Sequence, residues 1–190
     1  MKRLAVFASG SGTNAQNLIT HFSSGCLANI ELIICNNENA YVIQRAKKLN
    51  IKSIVLTKDE LTSATILHIL KVHNIDFIVL AGYLLKIPAI LINNYPNKII
   101  NIHPALLPKF GGKGMYGHHV HQAVIDAGEK ETGITIHLVN EVYDSGKILF
   151  KATCPVLLTD TADDIAAKIH ILEQENFPRV VEEYIKTNCL

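Results

Sequence analysis

Short, β-branched apolar runs alternate with helix-length amphipathic segments through the first half of the chain, and this alternation limits the fold more than any other feature. Residues 4–8, 30–35, 53–56, 77–81 and 99–102 read as buried strands, each bounded by turn or polar residues. Helices are expected between them at residues 14–22, 41–49, 60–73 and 88–93. Strands this uniformly apolar belong in a parallel sheet with helices on both faces, and right-handed crossovers wind such a sheet in two directions. After Pro108 the pattern changes. Residues 111–117 are too glycine-rich for a helix, a short helix is expected near 119–127, and strands follow at 133–139 and 147–153. The polar turn Asp144-Ser145-Gly146 joins those strands, and Thr161 caps a last helix over residues 162–185 with a bend at Pro178. The expected fold is α/β: a Rossmann-like, doubly wound, mostly parallel sheet with an antiparallel C-terminal part and a long C-terminal helix. No internal repeat or linker divides it, so residues 1–190 read as a single domain.

Charge and composition exclude several functions. Net charge is +1 with 18% charged residues, so no broad basic surface for nucleic acid or acidic lipid is expected. The apolar run after Lys2-Arg3 is cut short by Gly10-Ser11-Gly12, which makes it a first strand rather than a signal core. No segment approaches the roughly 20 apolar residues that span a bilayer. Cys26, Cys35, Cys154 and Cys189 are scattered without ligand spacing and read as reduced thiols of a cytoplasmic protein.

Ser9-Gly10-Ser11-Gly12-Thr13-Asn14 follows the first strand and opens a helix. Successive backbone N–H groups at such a helix start form an anion site, to which Thr13 and Asn14 add side-chain donors. The same spacing fits a loose dinucleotide fingerprint, which expects an acidic residue ending the second strand. Cys35-Asn36-Asn37 stands there instead, so phosphate is favoured over nicotinamide, and a glycine turn needed only for packing is the third reading. At the end of the fifth strand, alternation puts Asn101 and His103 on one side, at the edge where parallel sheets carry their ligand crevice. Those two residues alone fit either a pair that polarises a carbonyl and moves a proton, or a capped strand end.

Asn101-Ile102-His103-Pro104-Ala105-Leu106-Leu107-Pro108 resembles the signature of folate-dependent formyltransferases, in which "NIHPSLLP" is nearly fixed. The Ser9–Asn14 loop, Leu80-Ala81-Gly82-Tyr83, and Gly133-Ile134-Thr135-Ile136-His137 leading to Asp144-Ser145-Gly146 match the phosphoribosylglycinamide type in the same order, so the resemblance covers essentially the whole chain. It implies transfer of a formyl group from 10-formyltetrahydrofolate, a cosubstrate rather than a tightly bound cofactor, to the amine of glycinamide ribonucleotide. It further implies that Gly12, Thr13 and Asn14 hold the substrate phosphate and that Glu173 meets its ribose hydroxyls. Leu84, Leu85, Lys86 and Ile87 would line the pterin site with their backbone. Asn101, His103 and Asp144 would form the catalytic group, with Asn101 and a protonated His103 donating to the oxyanion of a tetrahedral intermediate and Asp144 raising the His103 pKa.

Departures from the family pattern bear on the amine site, which the loop 110–117 either shapes or leaves as a surface excursion, and on the folate tail, which loses its usual basic partner. The loop 110–117 is longer than in many members, no basic residue for the folate tail stands around Thr62-Ser63-Ala64, and Leu85 occupies a position where Arg is common. His170 has no assigned role. His118, His119 and His121 lack accompanying ligands for a metal, His121 is expected near substrate, and His137 reads as a satisfied core or crevice histidine. The alternatives are formylation of methionyl-tRNA or a sugar-nucleotide amine, or a non-catalytic nucleotide-binding module. An RNA substrate is disfavoured by the lack of a basic face and by the chain ending at Leu190. The oligomeric state is not legible.

Overall fold

The computed structural model describes residues 1–25 and 27–188. Strands β1 (Lys2–Phe7), β2 (Ala28–Cys35), β3 (Lys52–Val55), β4 (Phe77–Leu80), β5 (Ile99–His103), β6 (Glu131–Leu138) and β7 (Ile148–Pro155) form one sheet in the order β3-β2-β1-β4-β5-β6-β7. Pairings from β3 through β5 are parallel, whereas β6 runs antiparallel to β5 and β7 antiparallel to β6. The expected α/β class, the mostly parallel sheet and its antiparallel C-terminal part are all present.

Helices α1 (Thr13–Phe22), α2 (Tyr41–Lys48) and α7 (Ala162–Thr187) cover one face. Helices α3 (Lys58–Thr62), α4 (Ala64–Val72) and α5 (Ala89–Asn94) cover the other. The central strand β1 serves both: Leu4 and Val6 pack with Leu18, Phe22 and Phe177, while Ala5 and Phe7 pack with Ile66, Leu70 and Leu91. Burying each large apolar side chain contributes about 1.5–3 kcal/mol, which is why β1 is apolar at every position from Leu4 onward.

One helical expectation needs correction. The segment read as one helix over 60–73 is two, because Ser63 leaves helical geometry at ψ 178° and its Oγ accepts from the Thr65 N–H. Thr57 and Glu60 form a capping box that starts the shorter helix independently. At Pro178, α7 continues without a break. A proline inside a helix orphans the carbonyl four residues earlier. Here that carbonyl, on Gln174, accepts the Asn17 Nδ2–H from α1 at 2.8 Å, so the lost donor is replaced and the two helices are tied together.

The chain leaves β1 toward β2 and β3 in one direction, and β4 and β5 lie in the other, so a crevice opens between the C-terminal ends of β1 and β4. Ser9 fastens three strand ends there. Its N–H donates to the Gly82 carbonyl, its hydroxyl donates to Asn36 Oδ1 at 2.6 Å, and its oxygen accepts from the Leu84 N–H. Asn36, in the place where a dinucleotide site needs a carboxylate, is thus a structural partner of the loop. Cys35 and Cys154 are free thiols, and the readings made for Cys26 and Cys189 lie outside the described residues. Among the described residues no helix is long and apolar enough to cross a membrane.

Candidate active site

A cavity of about 680 Å³ occupies this crevice, and its wall includes Gly12, Thr13, Asn14, Leu84, Leu85, Lys86, Ile87, Asn101, His103, Asp144 and Glu173. Every residue given a site role by the resemblance therefore lines one space.

At one end lies the start of α1. Gly12 is its N-cap in a left-handed conformation (φ 76°), and a Cβ there would sit 2.5 Å from Val42 Cγ2, so only glycine fits. No side chain caps this helix and no acidic residue stands in its first turn, which leaves the partial positive charge of the N-terminus facing the cavity. The Asn14 side chain is not a free donor as the sequence suggested. Its Nδ2 donates to Glu173 Oε2 at 2.9 Å and its Oδ1 accepts from Gln174 Nε2 at 2.9 Å, because α7 docks across α1 at this point. Glu173 is thereby held at the cavity wall with His170 Nδ1 at 3.8 Å. Burial pushes the Glu173 carboxyl above its usual pKa, and the contacts with Asn14 and His170 only partly counter it.

The other end is made from β5, β6 and the turn after β6. Antiparallel register sets Asn101 opposite His137 and His103 opposite Thr135. The Thr135 hydroxyl donates to the Ala105 carbonyl and accepts the Leu107 N–H, pinning the segment that follows His103. His137 Nδ1 donates to the Leu138 carbonyl at 2.8 Å, so its Nε2 is the acceptor for Asn101 Nδ2–H at 3.0 Å. That leaves the second N–H of the Asn101 amide unassigned. The turn itself depends on Gly146, where a Cβ would fall 1.8 Å from the Leu138 carbonyl oxygen.

Asp144, with a positive φ of 52°, joins the histidines. Its Oδ2 accepts the Gly112 N–H at 2.8 Å and lies 3.7 Å from His103 Nδ1, and its Oδ1 is 3.6 Å from His137 Nε2. Burial works against its charge, but the contacts with His137, the Gly112 N–H and His103 outweigh that effect and hold the carboxyl below its usual pKa. His103 goes the other way. Burial depresses its pKa more than Asp144 and the Phe110 carbonyl raise it, so the imidazole is neutral at rest and the expected standing imidazolium is corrected. Nε2 donates to the Phe110 carbonyl at 2.8 Å, which fixes the tautomer and leaves Nδ1, the nitrogen beside Asp144, free to take a proton.

Three features are fuller in the structure than in the sequence. His137 is satisfied, as expected, but it also holds the Asn101 amide and lies beside Asp144, a placement visible only once β5 and β6 are in register. Loop 110–117 is part of the wall, contributing the Phe110 carbonyl, the Gly112 N–H and the lining residues Lys113, Met115 and Tyr116. His121, on α6 (His118–Asp126), is buried at the cavity, and its Nδ1 has no partner among the described residues. Among those residues no group of His, Cys, Asp and Glu is arranged to hold a metal ion.

A family model described as formyl transferase matches residues 2–181. The chain is similar to the chloroplastic phosphoribosylglycinamide formyltransferase of Arabidopsis thaliana, 38% identical over 97% of this chain and 67% of that protein. It is 34% identical to the phosphoribosylglycinamide formyltransferase of Bacillus subtilis, over 99% of this chain and 97% of that one. Its fold matches the crystal structure of glycinamide ribonucleotide transformylase 1 from Geobacillus kaustophilus with a TM-score of 0.88 and 38% identity, covering 97% of this chain and 99% of that one.

Proposed function

The chain belongs to the formyl transferase family, and on that premise we propose that it moves the formyl group of 10-formyltetrahydrofolate to the amine of glycinamide ribonucleotide, a step of purine synthesis. The carrying observation is that Asn101, His103 and Asp144 share one cavity with the open N-terminus of α1. An anionic group held at Gly12, Thr13 and Asn14, with the ribose at Glu173, leaves the amine to reach toward β5. The formyl donor enters past Leu84, Leu85, Lys86 and Ile87, whose backbone lines its site; the Leu84 N–H is already taken by the Ser9 hydroxyl, which leaves the segment's other backbone groups to contact it.

The amine nitrogen attacks the formyl carbon, and charge builds on the formyl oxygen. The free Asn101 N–H donates to that oxygen; losing one such donor typically costs about 3–4 kcal/mol in the barrier. The attacking nitrogen then gives its proton to neutral His103 at Nδ1, forming an imidazolium that Asp144 stabilises at close range. His103 returns the proton to the folate nitrogen as the bond from carbon to that nitrogen breaks. The reaction needs no metal and no resident cofactor. The substrates are small molecules, the working place is the cytoplasm, and residues 1–190 act as one formyltransferase domain.

Purified protein mixed with 10-formyltetrahydrofolate and glycinamide ribonucleotide should change the folate absorbance only when both are present. Turnover restricted to methionyl-tRNA or a sugar-nucleotide amine would replace the acceptor. Binding without turnover would leave a nucleotide-binding module.

A further inference from the structure

The anion end of the cavity is poor in cations. The lining residues there are the loop from Gly10 to Asn14 and, from α7, Ala166, Ile169, His170 and the acidic Glu173. Lys86 lies over the Tyr143 ring at 5.5 Å and Lys113 adjoins the Gly112 N–H on Asp144, so both stand at the catalytic end. A full positive charge does sit behind the loop, outside the cavity wall. Arg45 of α2 donates from Nε to the Ser11 carbonyl at 2.9 Å and from a terminal nitrogen to Gln16 Oε1, with its guanidinium 4.9 Å from the centre of the Tyr41 ring. One turn earlier, the Val42 N–H donates to the Gly10 carbonyl at 3.1 Å.

In a trans peptide the carbonyl and the following N–H point in opposite directions. Drawing the Gly10 and Ser11 carbonyls back onto α2 therefore aims the Ser11 and Gly12 N–H groups away from it. A guanidinium on the Ser11 carbonyl also polarises that peptide, strengthening the Gly12 N–H as a donor. We propose that Arg45 is a positioning residue for a phosphomonoester dianion. It holds the Ser11–Gly12 peptide in its donating orientation and supplies the countercharge one peptide unit behind the ligand. This rests on the reading of the acceptor as phosphorylated.

The test uses the full-length Arg45→Met and Arg45→Lys variants, with steady-state kinetics in each substrate and inorganic phosphate as competitive inhibitor. Arg45→Met should raise both the KM for glycinamide ribonucleotide and the phosphate inhibition constant about tenfold, with kcat and the folate KM within about twofold. Arg45→Lys, which keeps the charge but cannot hold Ser11 and Gln16 together, should fall between, and it carries the test alone if Arg45→Met does not fold. Unchanged phosphate inhibition in folded variants, or a loss confined to kcat, overturns the inference. A wild-type enzyme that uses the dephosphorylated riboside as well as the ribonucleotide overturns the phosphate assignment beneath it. A wild type that discriminates between them while the Arg45 variants behave normally overturns only the role of Arg45.

Discussion

At one end of the cavity the proposed binding groups are backbone N–H groups of Gly12, Thr13 and Asn14; at the other the proposed catalytic groups are side chains of Asn101, His103 and Asp144. The first end is made by a few consecutive residues and held from behind by α2 and α7. The second is gathered from β5, the turn after β6 and loop 110–117, with Asn101 held by the His137 side chain, His103 by the Phe110 carbonyl and Asp144 by the Gly112 N–H. Backbone N–H donors do not ionise at working pH, so the helix start keeps its polarity while Glu173 beside it titrates. The chemical end contains titratable groups whose charge depends on burial, and burial there leaves His103 neutral while Asp144 stays ionised. On the proposed function, the phosphate falls to backbone donors that do not ionise, and proton transfer to side chains that do.

The contrast predicts where damage appears. Asn101→Ala should lower kcat by about 10²–10³ with little change in the KM for the amine, since it removes a donor used in the transition state. His137→Gln, which loosens the Asn101 amide without deleting it, should cost less, roughly tenfold in kcat. Should the two substitutions prove additive, the hydrogen bond between Asn101 and His137 has no part in the mechanism. At the binding end the pattern reverses. Gly12→Ala meets both a positive φ and Val42, and should cost about 1–3 kcal/mol of stability and raise the amine KM, with kcat nearly unchanged at saturation. A fall in kcat alone would erase the division between the two ends.

The smallest effect concerns Glu173. Its pKa is raised above the usual 4.5 by burial, so it stabilises the fold below that value and loses this contribution as pH rises through the raised value. Glu173→Gln should therefore melt higher than wild type at pH 7, by about 1–3 °C, with the advantage vanishing near pH 4. The variant should bind the ribonucleotide more weakly. Melting curves at the two pH values check the sign.

What could be read from the sequence follows the same division. The strand–helix alternation and the glycine loop are local, so residues 9–14 announced their turn and made an anion site the favoured reading. The octamer from Asn101 to Pro108 carried a specific resemblance. The break at Ser63 was local too, written in Ser63 and in the Thr57–Glu60 capping box, but an apolar pattern running through both helices concealed it. The placing of His137 between Asn101 and Asp144 required strand register. The neutrality of His103 required its burial, and the engagement of Asn14 required the docking of α7. Sequence neighbours reveal which groups are available; only packing reveals their charge and which of them are already occupied.

Asp144→Asn separates the two ends in one protein, because the amide still accepts the Gly112 N–H but cannot stabilise an imidazolium. The decisive measurement pairs calorimetric binding of glycinamide ribonucleotide with single-turnover formyl transfer in this variant. The account predicts a dissociation constant within about twofold of wild type and transfer slower by about 10³ or more. Wild-type transfer, or a loss of binding that accounts for the whole defect, would contradict it.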